Sequence, residues 1–431
     1  MSATLFWDRE PAMARLRKSL GRPAFGYVTG RRRVGKTALL SEAVRRFGGL
    51  YHQAVEGTAQ QQLLHLAQEW QESRPIFREV VPRSWSEFFS LLSRQELPAL
   101  LVFDEFPYWV QGDPSLPSLL QKWVDHHLPK TKTTLLVSGS SQSMLHSVFL
   151  DSSAPLYGRA TLHWNLNPLS FGWFCRALRY DESDPLAFER YSLVGGVPHY
   201  WKLLSRDDIA RQAEALYFEP SAILAEEPKN WLRDERVGGS LPKAILDLIG
   251  RGVAKPSELA GRVGTVHGNL TRPLALLLDL GFIQRELPFG ESHRTSKKVL
   301  YSIADPSLSF YYGTCLAHRE RWRALSKKGK MDLIHQHASR CWESYCRRVW
   351  GGASRYWEGE AELDLVAWDE KAQKLLVAEC KWQDLNSTQE KGILEKLRAS
   401  FFRTQLANRY PKVEFRIFCQ KDLKAISSRE I

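Results

Sequence analysis

Two groups of residues in this chain have the types and spacing for phosphate chemistry. The first is GRRRVGKT at residues 30–37, which fits G-x-x-x-x-G-K-[ST]. It follows a short apolar run (Phe25, Tyr27, Val28) and opens a helical pattern at Thr37, Ala38, Leu39 and Leu40. Gly30 and Gly35 let the backbone turn tightly and present N–H groups to phosphate oxygens. The positive end of the following helix adds to the attraction. On this reading Gly30, Arg31, Arg32, Arg33, Val34, Gly35, Lys36, Thr37 and Ala38 cradle a nucleotide. Lys36 reaches the β- and γ-phosphates, and the Thr37 hydroxyl ligates Mg²⁺. The second group is Asp364, Glu379 and Lys381, with Glu343 upstream. Carboxylates beside a lysine can hold Mg²⁺ and stabilise the charge that builds up during phosphodiester hydrolysis.

Each group needs elements to position it. The run PALLVF at 98–103 is continuously apolar, as a parallel strand buried on both faces requires. It ends in Asp104 and Glu105. Asp104 is placed to hold Mg²⁺, and Glu105 to orient and deprotonate an attacking water. TTLLVSGSS at 133–141 reads as a further buried strand. Its Ser138 or Ser140 senses the γ-phosphate or the water, while Ser140 or Ser141 serves as a helix cap. In PLYGR at 155–159, Arg159 is either solvated or the cation that such a site needs on the γ-phosphate, in cis or from a neighbour. In the tail, residues 359–368 and 374–382 alternate as two strands of a hairpin, joined by a turn at 369–371. Glu379 and Lys381 are two apart and share one face. A helical stretch at 341–345 adds Glu343.

Between these groups the chain turns mostly helical over 165–235, with Trp164, Phe171, Trp173 and Phe174 as an aromatic cluster and GGVPHY at 195–200. Residues 241–249 form one helix, and a second starts at Lys255-Pro256 with Ser257 as its cap. A third runs over 268–280, with Pro273 tolerable only in its first turn. Residues 282–285 and 299–303 read as a hairpin. Three helices and a basic hairpin make a winged helix-turn-helix. Used on nucleic acid, it turns Asn269, Thr271 and Arg272 to the groove and Arg294, Lys297 and Lys298 to phosphates. Used otherwise, it is a packing module. The basic stretch 319–330 reads as a solvated helix face or a nucleic-acid contact.

At 431 residues the chain has room for about three domains. Lys and Arg outnumber Asp and Glu by 60 to 48, which favours a polyanionic partner such as nucleic acid or a phosphorylated ligand, the alternative being simple solubility charge. The six cysteines show neither a C-x-x-C pair nor zinc spacing, so reduced thiols in the cytoplasm are expected. MSATLFWDREP lacks a signal pattern. No apolar run approaches membrane-spanning length.

The series GRRRVGKT, LLVFDEFPYW, LLVSGSS, PLYGR and GGVPHY resembles the archaeal-type P-loop ATPases, a branch near the AAA+ and STAND ATPases. The resemblance implies an ATP-driven switch or motor. From the STAND proteins it also implies that Gly196-Val197-Pro198 packs by the nucleotide. Glu343, Asp364, Glu379 and Lys381 resemble the acid, acid and E-x-K positions of the PD-(D/E)xK nuclease core (DUF234-like), with Leu363 where that family's proline stands. The expected fold is therefore α/β, with four parts. These are a P-loop NTPase core with a parallel sheet (1–164), a helical lid (165–237), a winged helix-turn-helix (238–316), and a linker with a restriction-endonuclease-like domain (317–431). The expected function is Mg²⁺-dependent ATP hydrolysis by a protein that acts on, or is regulated by, nucleic acid, DNA first. The cofactors are ATP and Mg²⁺, without a membrane, and a homo-oligomer or partner protein is a further expectation. The alternative is a STAND-like signalling switch whose tail is an inactive recognition module. A small-molecule kinase would share the loop but leave the tail unexplained.

Overall fold

The computed structural model describes residues 9–292, 296 and 298–430. Their contacts divide them into two units, Met1–Pro168 and Leu169–Ile431. The first unit is built on five parallel strands: β1 (Ala24–Thr29), β2 (Leu50–Gln53), β3 (Leu100–Asp104), β4 (Thr134–Ser138) and β5 (Leu162–Asn165), in the order β2-β3-β4-β1-β5. Strands β3 and β4 are buried at every position, which is why their sequences are unbroken apolar runs. Alternate side chains feed two cores. Phe25, Tyr27, Leu101 and Phe103 pack with Trp70, Trp85, Phe88 and Trp109 on one face. Val28, Leu100, Val102 and Leu136 pack with Leu39, Leu40 and Ala43 of helix Lys36–Phe47 on the other.

β5 was not expected from the sequence, where 165 onward reads as helical. LHWN is only four residues long and alternates between buried and exposed positions, so it lacks the continuous run that marks β3 and β4. It pairs with β1 from Gly26↔Leu162 to Thr29↔Asn165.

The second unit begins with helices Phe171–Leu178, Pro185–Val194, Pro198–Trp201, Ile209–Tyr217 and Ile223–Asp234. Three more follow, Leu241–Gly250, Pro256–Val263 and His267–Asp279, and then the antiparallel pair β6 (Ile283–Glu286) and β7 (Leu300–Ile303). Two expectations are corrected here. Lys255, not Ser257, is the N-cap of the second helix, because Pro256 already occupies its first turn. The third helix starts at His267, so Pro273 lies inside it rather than in its first turn.

The long helix Lys327–Val349 leads into β8 (Ser354–Glu358), β9 (Ala361–Asp369) and β10 (Lys374–Cys380). Helix Ser387–Phe401 and β11 (Val413–Phe418) complete the sheet. Its order is β11-β10-β9-β8, with β11 parallel to β10 and the other pairs antiparallel. β8 is an addition to the expected hairpin, and residues 359–360 form the β8–β9 turn rather than the start of a strand. The expected bridge at 319–330 ends within the first turn of the long helix. The expected lid and tail also share one core. Phe188 of helix Pro185–Val194 lies 5.4 Å from Trp342 and 4.6 Å from Trp382, ring to ring. Among the described residues no helix is long and apolar enough to cross a membrane, and all six cysteines are free thiols.

Candidate functional site

The first site forms where β1 and β3 end. β1 stops at Thr29, and Gly30 takes φ +140°, with Leu166 O only 2.6 Å from where a Cβ would stand. Gly35, at φ +105°, caps the helix that Lys36 begins. Both positions need a residue free of a Cβ. Arg33, at φ +65°, takes the left-handed conformation despite its side chain, which marks the loop as held in place by its surroundings. Lys36 is buried, and its Nζ donates to Gly30 O at 2.8 Å and Arg31 O at 3.1 Å. Arg31 and Val34 are buried too, whereas Arg32 and Arg33 are half-buried and Thr37 and Ala38 exposed.

Across from the loop, the buried carboxylate of Asp104 is surrounded by donors. Thr37 Oγ1 donates to its Oδ2 at 2.7 Å, Tyr51 Oη to the same atom at 2.9 Å, and Glu105 N to Oδ1 at 3.0 Å. Ser138 Oγ donates to Oδ1 as well. Tyr51 was missed in the sequence because β2 gives no motif; register alone brings it beside β3. Burial first, and then the Asp104 charge, push its phenol well above the usual range. Glu105 adopts φ +54° at the strand end, and its carboxylate accepts from Ser140 N at 2.9 Å and from Ser140 Oγ. Of the two serine readings, Ser138 meets Asp104, Ser140 meets Glu105, and Ser141 caps the next helix. An all-oxygen pair from Thr37 and Asp104 at the foot of a phosphate loop suits Mg²⁺, which prefers hard oxygen ligands.

Arg159 lies elsewhere. Thr161 N donates to Phe25 O, so the segment before β5 sits at the N-terminal edge of the sheet, whereas the phosphate loop sits at the C-terminal edge. A strand's length of roughly 13 Å separates the two edges. Its guanidinium is held by Asp125 at 2.8 Å and by Pro155 O at 2.9 Å. This corrects the expectation of a cis contact with the γ-phosphate of the same chain and leaves a neighbour's site.

The second site lies in the C-terminal sheet. Helix Lys327–Val349 supplies Glu343, β9 supplies Asp364 and β10 supplies Glu379, while Lys381 follows directly after Cys380, where the strand expected over 374–382 stops. Lys381 Nζ contacts Glu379 Oε1 at 2.6 Å. Cys380 N donates to Asp364 Oδ2 at 2.9 Å, and Arg347 donates to Asp364 O at 2.9 Å. Burial, then the charge of Asp364, push the Glu343 carboxyl up to about 7, and the same causes raise Glu379. Burial lowers the Lys381 ammonium, but its hydrogen bond to Glu379 and the charges of Glu379, Asp364 and Glu343 together outweigh it and the net shift is upward. The four residues thus feel one another's fields. Even so, among the described residues no three His, Cys, Asp or Glu side chains gather closely enough to hold a metal ion.

Asn269, Thr271 and Arg272 are exposed on helix His267–Asp279. Asn269 Nδ2 is turned to Thr265 Oγ1 at 3.0 Å. Lys298 pairs with Glu291 at 3.5 Å, while Arg294 and Lys297 lie outside the described residues.

Comparison with known proteins agrees with the first site. Residues 334–393 match a family described as archaeal and bacterial proteins of unknown function. An uncharacterized protein of Methanocaldococcus jannaschii is 28% identical over 429 residues, covering 91% of each chain. Among solved structures, the Walker-type ATPase PABY2304 of Pyrococcus abyssi is similar in fold, with a TM-score of 0.53 at 21% identity over 71% of this chain and 96% of that one. The ORC2 protein of Aeropyrum pernix, solved with ADPNP and ADP, aligns over 78% of this chain and 96% of that one at 15% identity and a TM-score of 0.43. Residues 6–204 match the family described as an ATPase domain predominantly from Archaea.

Proposed function

We propose that this chain is a Mg²⁺-dependent ATP-hydrolysing protein that acts on, or is regulated by, nucleic acid, and that its C-terminal segment is a nuclease-like module. The observation that carries the first half is the hydrogen bond between Thr37 and Asp104, which joins the phosphate loop to the end of β3. In this reading ATP brings the phosphates to the loop N–H groups and Lys36, and Mg²⁺ supplies the charge that Thr37 and Asp104 hold. Glu105 orients the attacking water once Ser140 lets go of its carboxylate. Arg159 acts on the site of a neighbouring copy. Incubation with ATP and Mg²⁺, with and without DNA, is the test. The absence of turnover, or turnover indifferent to every nucleic acid at low salt, sinks the reading.

The second half rests on the order of elements: a helix bearing Glu343, three antiparallel strands bearing Asp364 and Glu379 with Lys381 just past the last of them, a helix, and a parallel strand. Asn269, Thr271, Arg272, Arg294, Lys297 and Lys298 are its proposed nucleic-acid contacts. One observation favours a second reading, a STAND-like switch with an inactive recognition tail. The acids of the tail are not clustered, and Lys381 is tied to Glu379. Cleavage of a DNA panel in Mg²⁺ separates the two. Cleavage lost in Asp364→Asn supports the nuclease, whereas nucleotide-dependent assembly without cleavage supports the switch.

A further inference from the structure

Beside the second site lies a cleft of about 570 Å³ whose walls belong to β6, β7, the long helix and β8. Five of its lining residues are arginines: Arg285 from β6, Arg340, Arg347 and Arg348 from the long helix, and Arg355 from β8. Arg340, Glu343 and Arg347 recur at the three- and four-residue spacing that puts side chains on one helix face. That face is the one carrying Glu343 into the wall. The arginines differ in their engagements. Arg347 is held by Asp364 O, Arg348 by Glu430 at 3.0 Å, and Arg355 by Glu362. Arg340 is exposed and makes no hydrogen bond or ion pair among the described residues. Glu286, the acid facing them from β6, accepts from Ser302 Oγ at 2.6 Å and pairs with Arg347 at 3.9 Å. Tyr301 from β7 is half-buried in the same wall.

We infer that this cleft binds an unpaired nucleic-acid strand, its phosphates on the arginines and a base on Tyr301, and leads the strand past Glu343. A positive groove interleaved with an aromatic face is how single strands are held without sequence preference. The volume falls within the roughly 300–1,000 Å³ of small-ligand pockets, which suits unpaired nucleotides and excludes the body of a duplex. Arg340 is the guanidinium with no competing partner, so it meets a phosphate without giving up an ion pair. The inference rests on the nucleic-acid reading above, and it names where the strand lies and that it is unpaired.

The test is fluorescence anisotropy of the full chain with a labelled single-stranded oligonucleotide and the matching duplex, in EDTA so that no cleavage occurs. Arg340→Glu is expected to weaken single-strand binding about tenfold at low salt, and Arg340→Ala to reduce the log–log salt slope by about 0.7, the share of one phosphate contact. Arg340→Lys keeps the charge and is expected to stay near wild type, and matching thermal melts exclude a folding defect. Arg206→Glu, at an exposed bend outside the cleft, should leave single-strand binding unchanged. If wild type binds and Arg340→Glu binds equally well, or if Arg206→Glu abolishes binding, the cleft assignment is overturned while the nucleic-acid reading stands. If neither strand nor duplex binds at low salt, that reading falls and the cleft with it.

Discussion

Lys36 Nζ lies 2.8 Å from Gly30 O, so the lysine that serves the phosphates also ties the loop to itself. The ammonium is buried, and the carbonyl oxygens of Gly30 and Arg31 both accept from it. An incoming polyphosphate is a better partner than either carbonyl, because a charge-assisted bond is about twice as strong as a neutral one. Lys36→Ala is therefore expected to lower ATP turnover by about 100-fold or more, while circular dichroism of the full chain stays near wild type. Wild-type turnover in this variant would refute the role of the loop.

The two loop glycines should differ when replaced. Gly30→Ala drives a methyl against Leu166 O at 2.6 Å and strains φ, whereas Gly35→Ala meets nothing within 4 Å and pays for φ alone. Strain of this kind costs about 1–3 kcal/mol. Thermal unfolding should rank Gly30→Ala as the less stable of the two, and the reverse order would contradict the packing described for β5.

His337 makes stability depend on pH. Its Nε2 lies 2.8 Å from Ser192 O, the Phe310 ring packs 5.1 Å away, and Cys341, Arg340 and Asp305 are the neighbouring titratable or charged groups. Burial first, then Arg340, lower its pKa to about 3. The unfolded chain takes up a proton near pH 6.5 and the folded chain refuses it. The folded state therefore loses stability as pH falls from about 6.5 toward 3, by up to about 1.4 kcal/mol per unit. Urea unfolding at pH 7.5 and 5.0 should show a loss of roughly 2 kcal/mol that His337→Gln largely removes. An unchanged slope in that variant would rule out His337 as its source.

The two sites should fail separately. Asp364→Asn or Lys381→Ala is expected to abolish any Mg²⁺-dependent cleavage by the tail and to leave ATP turnover within about twofold of wild type, since Lys381 pairs with Glu379 and Asp364 accepts from Cys380 N, both within the tail. Turnover that collapses with Asp364→Asn would mean the acids of the tail serve the ATPase.

The sequence was legible where chemistry forces a pattern. A phosphate loop must carry Gly30, Gly35, Lys36 and Thr37 in that order, and a strand buried on both faces must read like Leu100 to Phe103. It was less legible where partners come from register. Tyr51 reaches Asp104 because β2 lies beside β3, and no motif in LYHQ announces it. β5 and β8 are four and five residues long, too short for alternation to stand out. Arg159 has a suggestive neighbourhood in sequence, but the direction of β5 puts it at the wrong edge for its own loop. No local pattern announces that Phe188 packs on Trp342 and Trp382, because the three lie far apart in the chain.

Phe188, packed on Trp342 and Trp382, has a consequence for how this protein can be divided. Trp382 follows Lys381 directly, and its Nε1 reaches Glu189 Oε1 at 3.3 Å. A tail severed at residue 317 would leave two large indoles bare to water, and such a fragment is expected to precipitate. One beginning at Leu169 should remain dispersed, as sedimentation of the two would reveal. Any lineage that borrowed this tail would have had to take the preceding helices with it, so the heritable cassette is longer than the residues that do its chemistry.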